Sequence, residues 1–322
     1  MGRFAVTGRH FLTKPPLARK TVYALAILCC LLWAGAYVTG KIAIGTPSAP
    51  GFGPFRTAFF RFAVAGVLLG AWGLWRDPAG LRVRQKGDWW LFGRLALLGM
   101  GLTYTFNYVG LALSTGTAAA LLMASEPVWV VVLAVVFLRE RLTRTRLAGI
   151  VFGFCGALLV VLSTRQPATA GNVAESRAAL LGNTLIVASL LFESAGVLTV
   201  KRLTARYNGR TIVTYEFLLG ALLLAPFAVW ERVAHGPAAS TPAAWAAFAY
   251  LLVACTLIAY VVWFRLLEVA DASEITPFIF IQPVIGAILG VSVFGDPFRF
   301  LTAVGAILVL AAVWCIMWAP SG

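Results

Sequence analysis

Apolar residues along this chain fall in long blocks. They do not show the alternation of a half-buried strand or the single stripe of a soluble helix. Ten blocks can be marked, at 21–40, 54–75, 89–112, 117–138, 145–164, 178–200, 211–231, 243–265, 272–294 and 300–319. Each approaches the roughly 20 residues that a helix needs to cross the hydrocarbon core of a bilayer. Several links are very short, notably 114–117 and 295–298. Such links make the joined helices antiparallel neighbours. The pattern predicts an all-α membrane protein of ten transmembrane helices.

Composition strengthens this picture. Of the 322 residues, 61% are hydrophobic and 12% charged, against about 25% charged in soluble domains. The net charge of +14 could suggest a nucleic-acid partner, but the basic residues sit in short loops between apolar blocks, where they orient the chain. With the N-terminus inside, the inner segments hold 18 Lys and Arg and the outer segments 6 (Lys41, Arg56, Arg165, Arg177, Arg232 and Arg299). Both termini are therefore expected in the cytoplasm, and nucleic acid is not expected as a partner. The five cysteines all lie in apolar blocks and read as small hydrophobes. No disulfide, metal site or cofactor is expected.

The chain also repeats itself. A shift of 156 residues carries Tyr104 onto Tyr260, Glu126-Pro127-Val128 onto Gln282-Pro283-Val284, Glu140 onto Asp296 and Gly149 onto Gly305. Further upstream the register drifts, with Trp33 near Glu193 and Lys41 on Lys201. The expected organisation is a basic cytoplasmic tail at 1–20, a five-helix repeat at 21–164, a periplasmic linker at 165–177 and a second five-helix repeat at 178–319. Five is odd, so the copies enter the membrane from opposite sides. This is an inverted-topology repeat, a common plan among secondary transporters.

Chemistry concentrates where ionisable groups fall inside these blocks. Glu126 lies near the middle of the fourth, where a charge costs about 2.5–3.5 kcal/mol on insertion scales. It is expected to face the bundle interior, to be protonated, or both. Pro127 and Pro283 interrupt helical bonding and are candidate hinges at matching points of the two halves, with Gln282 beside the second. The alternative is a kinked packing helix whose glutamate bonds a neighbour. Glu193 is a second intramembrane acid. Glu216, only five residues into its block, is expected to reach the headgroups. Arg61 is a candidate partner for Glu126 or Glu193, or for a substrate carboxylate. Tyr104, Asn107 and Tyr108 share one helix face, and Tyr260 and Trp263 repeat the spacing. With Trp33, Tyr37 and Trp129 they form a candidate lining for a small amphipathic or aromatic solute, or else ordinary aromatic packing. Gly66/Gly70, Gly149/Gly153 and Gly286/Gly290 allow close helix contact and leave the oligomeric state open. The letters GxxxxGK at 35–41 lack the strand, helix and hydroxyl of a phosphate loop.

Four stretches carry a family resemblance: LLWAGAYVTGK at 31–41, TAFFRFAVAGVLL at 57–69, YVGLALSTGTAAALLMASEPVWVVVLAVVFLRERL at 108–142 and ADASEITPFIFIQPVIGAILGVSVFGDPF at 270–298. Together they resemble the EamA-type drug/metabolite transporters, whose ten helices form two homologous halves. Arg61 matches the family's arginine in helix two, Pro127 and Pro283 its prolines in helices four and nine, and Glu140 its acid after helix four. The chain departs from the pattern at Glu193, where an aromatic residue is usual, and at Asp296-Pro297, at the outer rim, in place of Gly-Glu.

The resemblance implies an exporter of amino acids, drugs or other small metabolites in the inner (plasma) membrane, with the bilayer and a small-molecule substrate as its partners. Protons are the candidate coupling ion, taken up and released by Glu126 or Glu193. An uncoupled facilitator, a lipid flippase and a membrane-embedded enzyme are the alternatives. The acids at Glu268, Asp271 and Glu274 cluster near the inner surface without a metal-binding pattern, so an enzyme is not expected.

Overall fold

A computed structural model describes residues 18–45, 49–138, 144–163, 173–236, 241–269, 278–279 and 281–317. The described chain is all-helical. In order, its helices are α1 (Arg19–Ala34), α2 (Ala36–Ile44), α3 (Pro54–Arg76), α4 (Asp88–Leu95), α5 (Thr103–Leu113), α6 (Gly116–Met123), α7 (Glu126–Leu138), α8 (Arg144–Ser163), α9 (Val173–Leu203), α10 (Gly209–His235), α11 (Pro242–Ala249), α12 (Ala259–Val269), α13 (Ile281–Phe294) and α14 (Phe300–Met317). Seven helical stretches are long and apolar enough to cross a membrane, and three shorter apolar helices accompany them, at Leu147–Val160, Gln282–Phe294 and Phe300–Cys315. Large apolar side chains cover the outside, with Trp75 80%, Phe137 70% and Phe300 82% exposed. Such a surface suits hydrocarbon and not water.

Two boundaries differ from expectation. Helix α9 begins at Val173, so the end of the segment read as a linker is already helical. Helix α1 begins at Arg19, inside the segment read as a tail. Glu140, Asp271 and Glu274 lie outside the described residues.

Four of the membrane-length stretches are not uniform α-helix, and one of them breaks at Ala124 and Ser125, between α6 and α7. The first breaks at Gly35, between α1 and α2. A side chain there would run into the Tyr250 hydroxyl, since a Cβ would lie 2.6 Å from it. The hydroxyl of Tyr250 and the thiol of Cys255 both donate to the Leu32 carbonyl, at 3.0 and 3.1 Å, so the break leaves this acceptor satisfied. The other two contain wide π turns, at Ala96–Leu102 between α4 and α5 and at Tyr250–Ile258 between α11 and α12. The 156-residue shift places one on the other. Threonine hydroxyls bond the carbonyl five residues back in both stretches: Thr103 to Leu98 at 2.6 Å and Thr256 to Leu251 at 2.8 Å. Single π turns inside α-helices often mark functional sites.

Small residues bring the helices together. Helix α3 packs antiparallel to α10, with Gly66 against Leu218, Gly70 against Thr214 and the Phe62 and Phe217 rings 5.2 Å apart. Gly110 of α5 faces Gly182 of α9, and Gly286 and Gly290 of α13 face Ala120 and Thr117 of α6. Gly156 of α8 and Gly305 of α14 approach so closely that a Cβ on either would lie 2.8 Å from the other's carbonyl oxygen. Gly153 lies against Val128. The glycine pairs of helices α3 and α13 thus serve packing within the chain.

One charged clamp holds α3 to α10, and another holds the start of α4 to the loop between α9 and α10. Buried Glu231 accepts the Arg56 backbone N–H at 2.8 Å and pairs with its Nε at 3.3 Å. At the opposite end, buried Asp88 receives Arg206 Nη1 at 2.5 Å and the Tyr207 hydroxyl at 2.7 Å. These clamps satisfy charges that would otherwise be costly to bury.

Gly156→Val and Gly305→Val should each cost about 1–3 kcal/mol by overpacking, because the obstructing atoms are backbone. Gly87→Ala should be neutral, since a Cβ there meets nothing within 4 Å. Thermal unfolding of the purified protein in detergent measures the difference.

Candidate functional site

The π turns deliver the centre of the molecule. Arg61 of α3 is only 5% exposed. Its Nε donates to the Thr256 hydroxyl at 2.7 Å, from the second π turn, and its Nη1 donates to the Tyr108 hydroxyl of α5 at 2.8 Å. The guanidinium also lies 5.1 Å from the Phe62 ring centroid and 5.8 Å from that of Tyr104, within range of cation–π attraction. Tyr104 stands edge-on to Tyr108 at 5.6 Å and to Phe62 at 4.4 Å. Tyr260 packs against Phe217 at 5.5 Å and Trp33 at 5.6 Å. Among the described residues, no ion pair joins Arg61 to Glu126 or Glu193. The expectation that it neutralises one of them gives way to a guanidinium held by hydroxyls and rings.

The acids gather within reach of Tyr260, which also feels the charge of Arg61. Glu193 of α9 lies within electrostatic reach of Glu126 and Glu216, and Tyr37, Tyr104 and Tyr260 all feel its charge. Its Oε2 is fully buried and has no hydrogen-bond partner among the described residues. Glu216 belongs here too. A Cβ on Gly99, in the first π turn, would lie 2.6 Å from Glu216 Oε1. It is directed into the bundle, not toward the headgroups as its place near the start of α10 suggested. Depth counted along a helix misses which face a side chain occupies. The missed signal was the glycine on the facing helix.

Glu126 is the first residue of α7, and the chain breaks just before it, at Ala124 and Ser125. Pro127 therefore lies in the first turn of a new helix, where its missing N–H costs nothing. It starts a helix and does not kink one. Ser125 stitches the break: its hydroxyl donates to the Leu122 carbonyl at 2.6 Å and accepts from the Trp129 indole at 3.1 Å. Trp129 also stacks edge-on with Phe154 at 4.7 Å. Its role is to brace the break against α8, and these contacts set it apart from the tyrosine lining. Gln282 and Pro283 lie in the first turn of α13, matching Glu126 and Pro127, and the Gln282 side chain bonds the Cys30 thiol.

The remaining residues divide in two. Asn107 reaches Ser189 Oγ at 3.5 Å and Met123 Sδ at 3.3 Å, which ties α5 to α9 and α6. Trp33 and Trp263 form an edge contact at 5.4 Å, and the Trp33 indole donates to the Cys255 carbonyl at 2.9 Å. The Trp33–Trp263 contact serves the α1–α12 interface. Asp296, read from sequence as a rim residue, accepts the Thr117 N–H at 2.9 Å and so caps α6 at its positive end. Lys41 donates to the Leu111 and Ser114 carbonyls at the other side of the same turn.

The sequence profile of the EamA-like transporter family matches this chain twice, at residues 20–162 and 180–318. The chain belongs to the EamA-like transporter family. Named relatives agree with that membership. A protein of Archaeoglobus fulgidus, named an uncharacterized transporter, is 29% identical over 91% of this chain and 96% of its own length. The Bacillus subtilis uncharacterized transporter YetK is 25% identical over 92% and 88%. A probable terminal-alkyne amino-acid exporter of Streptantibioticus cattleyicolor is 26% identical over 92% and 93%. A solved crystal structure, 20% identical, superimposes with a TM-score of 0.58 over 92% of this chain and 96% of its own, which shows a shared fold. This EamA-family protein is a transporter, a multi-pass protein of the plasma membrane.

Thr256→Val or Tyr108→Phe would leave a buried guanidinium N–H unpaired in this transporter. Each should destabilise the protein by about 1–3 kcal/mol, whereas Thr256→Ser should not. Thermal unfolding in detergent checks both results.

Proposed function

We propose that this chain exports small organic metabolites by alternating access of two inverted five-helix repeats, coupled to proton entry. The ten spans of this reading are the seven long helical stretches and the three shorter apolar helices. The observation that carries it is the pattern of helix pairing. Spans matched by the 156-residue shift pack against each other: α3 with α10, the fourth span with the ninth through α6 and α13, and α8 with α14. The remaining contacts cross over. The third span of the first half meets the first span of the second through Gly110 and Gly182, and the first span meets the eighth through Trp33 and Trp263. A two-fold axis in the membrane plane produces such a set, and a site on that axis can open to either side in turn.

The polar cluster lies where these pairs meet. Glu126 and Glu193 are the proton carriers in this reading, two intramembrane acids within electrostatic reach of each other. Helix breaks beside Gly35 and Ser125 give the two halves places to flex. The Streptantibioticus cattleyicolor relative, a probable terminal-alkyne amino-acid exporter, favours outward movement of amino acids or similar solutes. Transport without catalysis is the role assigned here.

Comparative metabolite profiling of culture medium tests this. Cells overexpressing the protein should accumulate a small organic solute outside, and Glu126→Gln/Glu193→Gln should return it to the level of cells without the protein. A protonophore should do the same. Export that survives both treatments would instead indicate a facilitator driven by the solute gradient, and an unchanged medium would contradict the export reading.

A further inference from the structure

Three carboxylates and one guanidinium all act on Tyr260 in this site, and the guanidinium is already engaged. A carboxylate is gripped by two neighbouring N–H groups of an arginine. Arg61 has Nε on Thr256 and Nη1 on Tyr108, so each of its two forks has one nitrogen committed. The ring faces of Phe62 and Tyr104 lie against it as well. An anionic solute entering here would have to displace these bonds while facing Glu126, Glu193 and Glu216. A cation would meet the opposite conditions. Glu193 Oε2 is buried without a hydrogen-bond partner among the described residues, which is a costly state for a carboxylate in the absence of a donor. Tyr37, Tyr104 and Tyr260 lie within electrostatic reach of that carboxylate, and aromatic faces attract organic cations.

We infer that the cargo is an organic cation, an ammonium-type group on a flat apolar body, with Glu193 as the acceptor of the charged group and the tyrosine rings as the seat of the body. Arg61 then acts as a positioning residue. It fixes Tyr108 and Thr256 and repels cations from the far side of the site, which restricts the charged group to the Glu193 side. Like-charge exclusion of this kind gives specificity beyond what attraction alone supplies. The inference rests on the transport reading above and names the charge of what is carried.

Four probes share one indole body and differ in charge at pH 7: tryptamine, tryptophol, tryptophan and indole-3-acetate. Equilibrium dialysis of each against the purified full-length protein in lipid nanodiscs should rank tryptamine first and indole-3-acetate last. The gap should be at least about tenfold, the value of one charge-assisted hydrogen bond. Glu193→Gln should weaken tryptamine by at least about tenfold and leave tryptophol unchanged. Indole-3-acetate binding as tightly as tryptamine would overturn the inference, and so would binding of none of the four. Tryptamine affinity unaltered by Glu193→Gln would also overturn it. The wild-type ranking is decisive even if the variant misfolds. Binding at equilibrium requires neither a gradient nor flux, so a preference for the acid would remove the cationic cargo without touching the export reading. An unchanged culture medium would do the reverse.

Discussion

A guanidinium and three carboxylates cannot face hydrocarbon. That constraint organises the rest of this structure. Each such group costs several kcal/mol at the centre of a bilayer unless protein or water receives it. Arg61 therefore sits buried among Thr256, Tyr108 and two aromatic rings, and the acids of α7, α9 and α10 turn inward within reach of one another and of Tyr260. Apolar residues fill the rest of the interior and cover the outer surface as well. The exposed apolar surface is what sets this protein apart from a soluble globule.

Keeping those groups together demands close helix approach, and the glycines supply it. Gly156 against Gly305 and Gly110 against Gly182 bring backbone to backbone. Packing of this kind is the main source of helix association in lipid, where no hydrophobic gain separates one apolar neighbour from another. The irregular segments follow from the same demand. Breaks at Gly35 and Ser125 and π turns before Tyr104 and Tyr260 release or redirect backbone groups. In each case a side chain takes up the freed acceptor: Tyr250 and Cys255 at Leu32, Ser125 at Leu122, Thr103 at Leu98 and Thr256 at Leu251.

Much of this was legible in the residues. Apolar blocks located the helices because membrane length leaves a plain mark on a chain. Glu126, Glu193, Arg61 and the tyrosines stood out because charge and aromatic hydroxyls are rare in such blocks, and the structure brings them together. What escaped were features set by neighbours. The π turns lie in ALLGMGL and YLLVACTLI, neither of which contains proline and only the first of which contains glycine. Glu216 was placed by depth along its helix, but its direction depends on Gly99 across the interface. Asp296 looked peripheral because its partner, the Thr117 N–H, is 179 residues away. Trp129 resembled a lining residue, yet its contacts are with Ser125 and Phe154.

The central claim is that the acid and tyrosine cluster borders a hydrated interior between the two halves. Thiol labelling tests it most directly, in a background without the five native cysteines. Glu126→Cys should react with a charged, membrane-impermeant methanethiosulfonate, and Phe137→Cys, on the exposed apolar surface, should not. Modification of position 126 only by a lipid-soluble reagent would contradict the account.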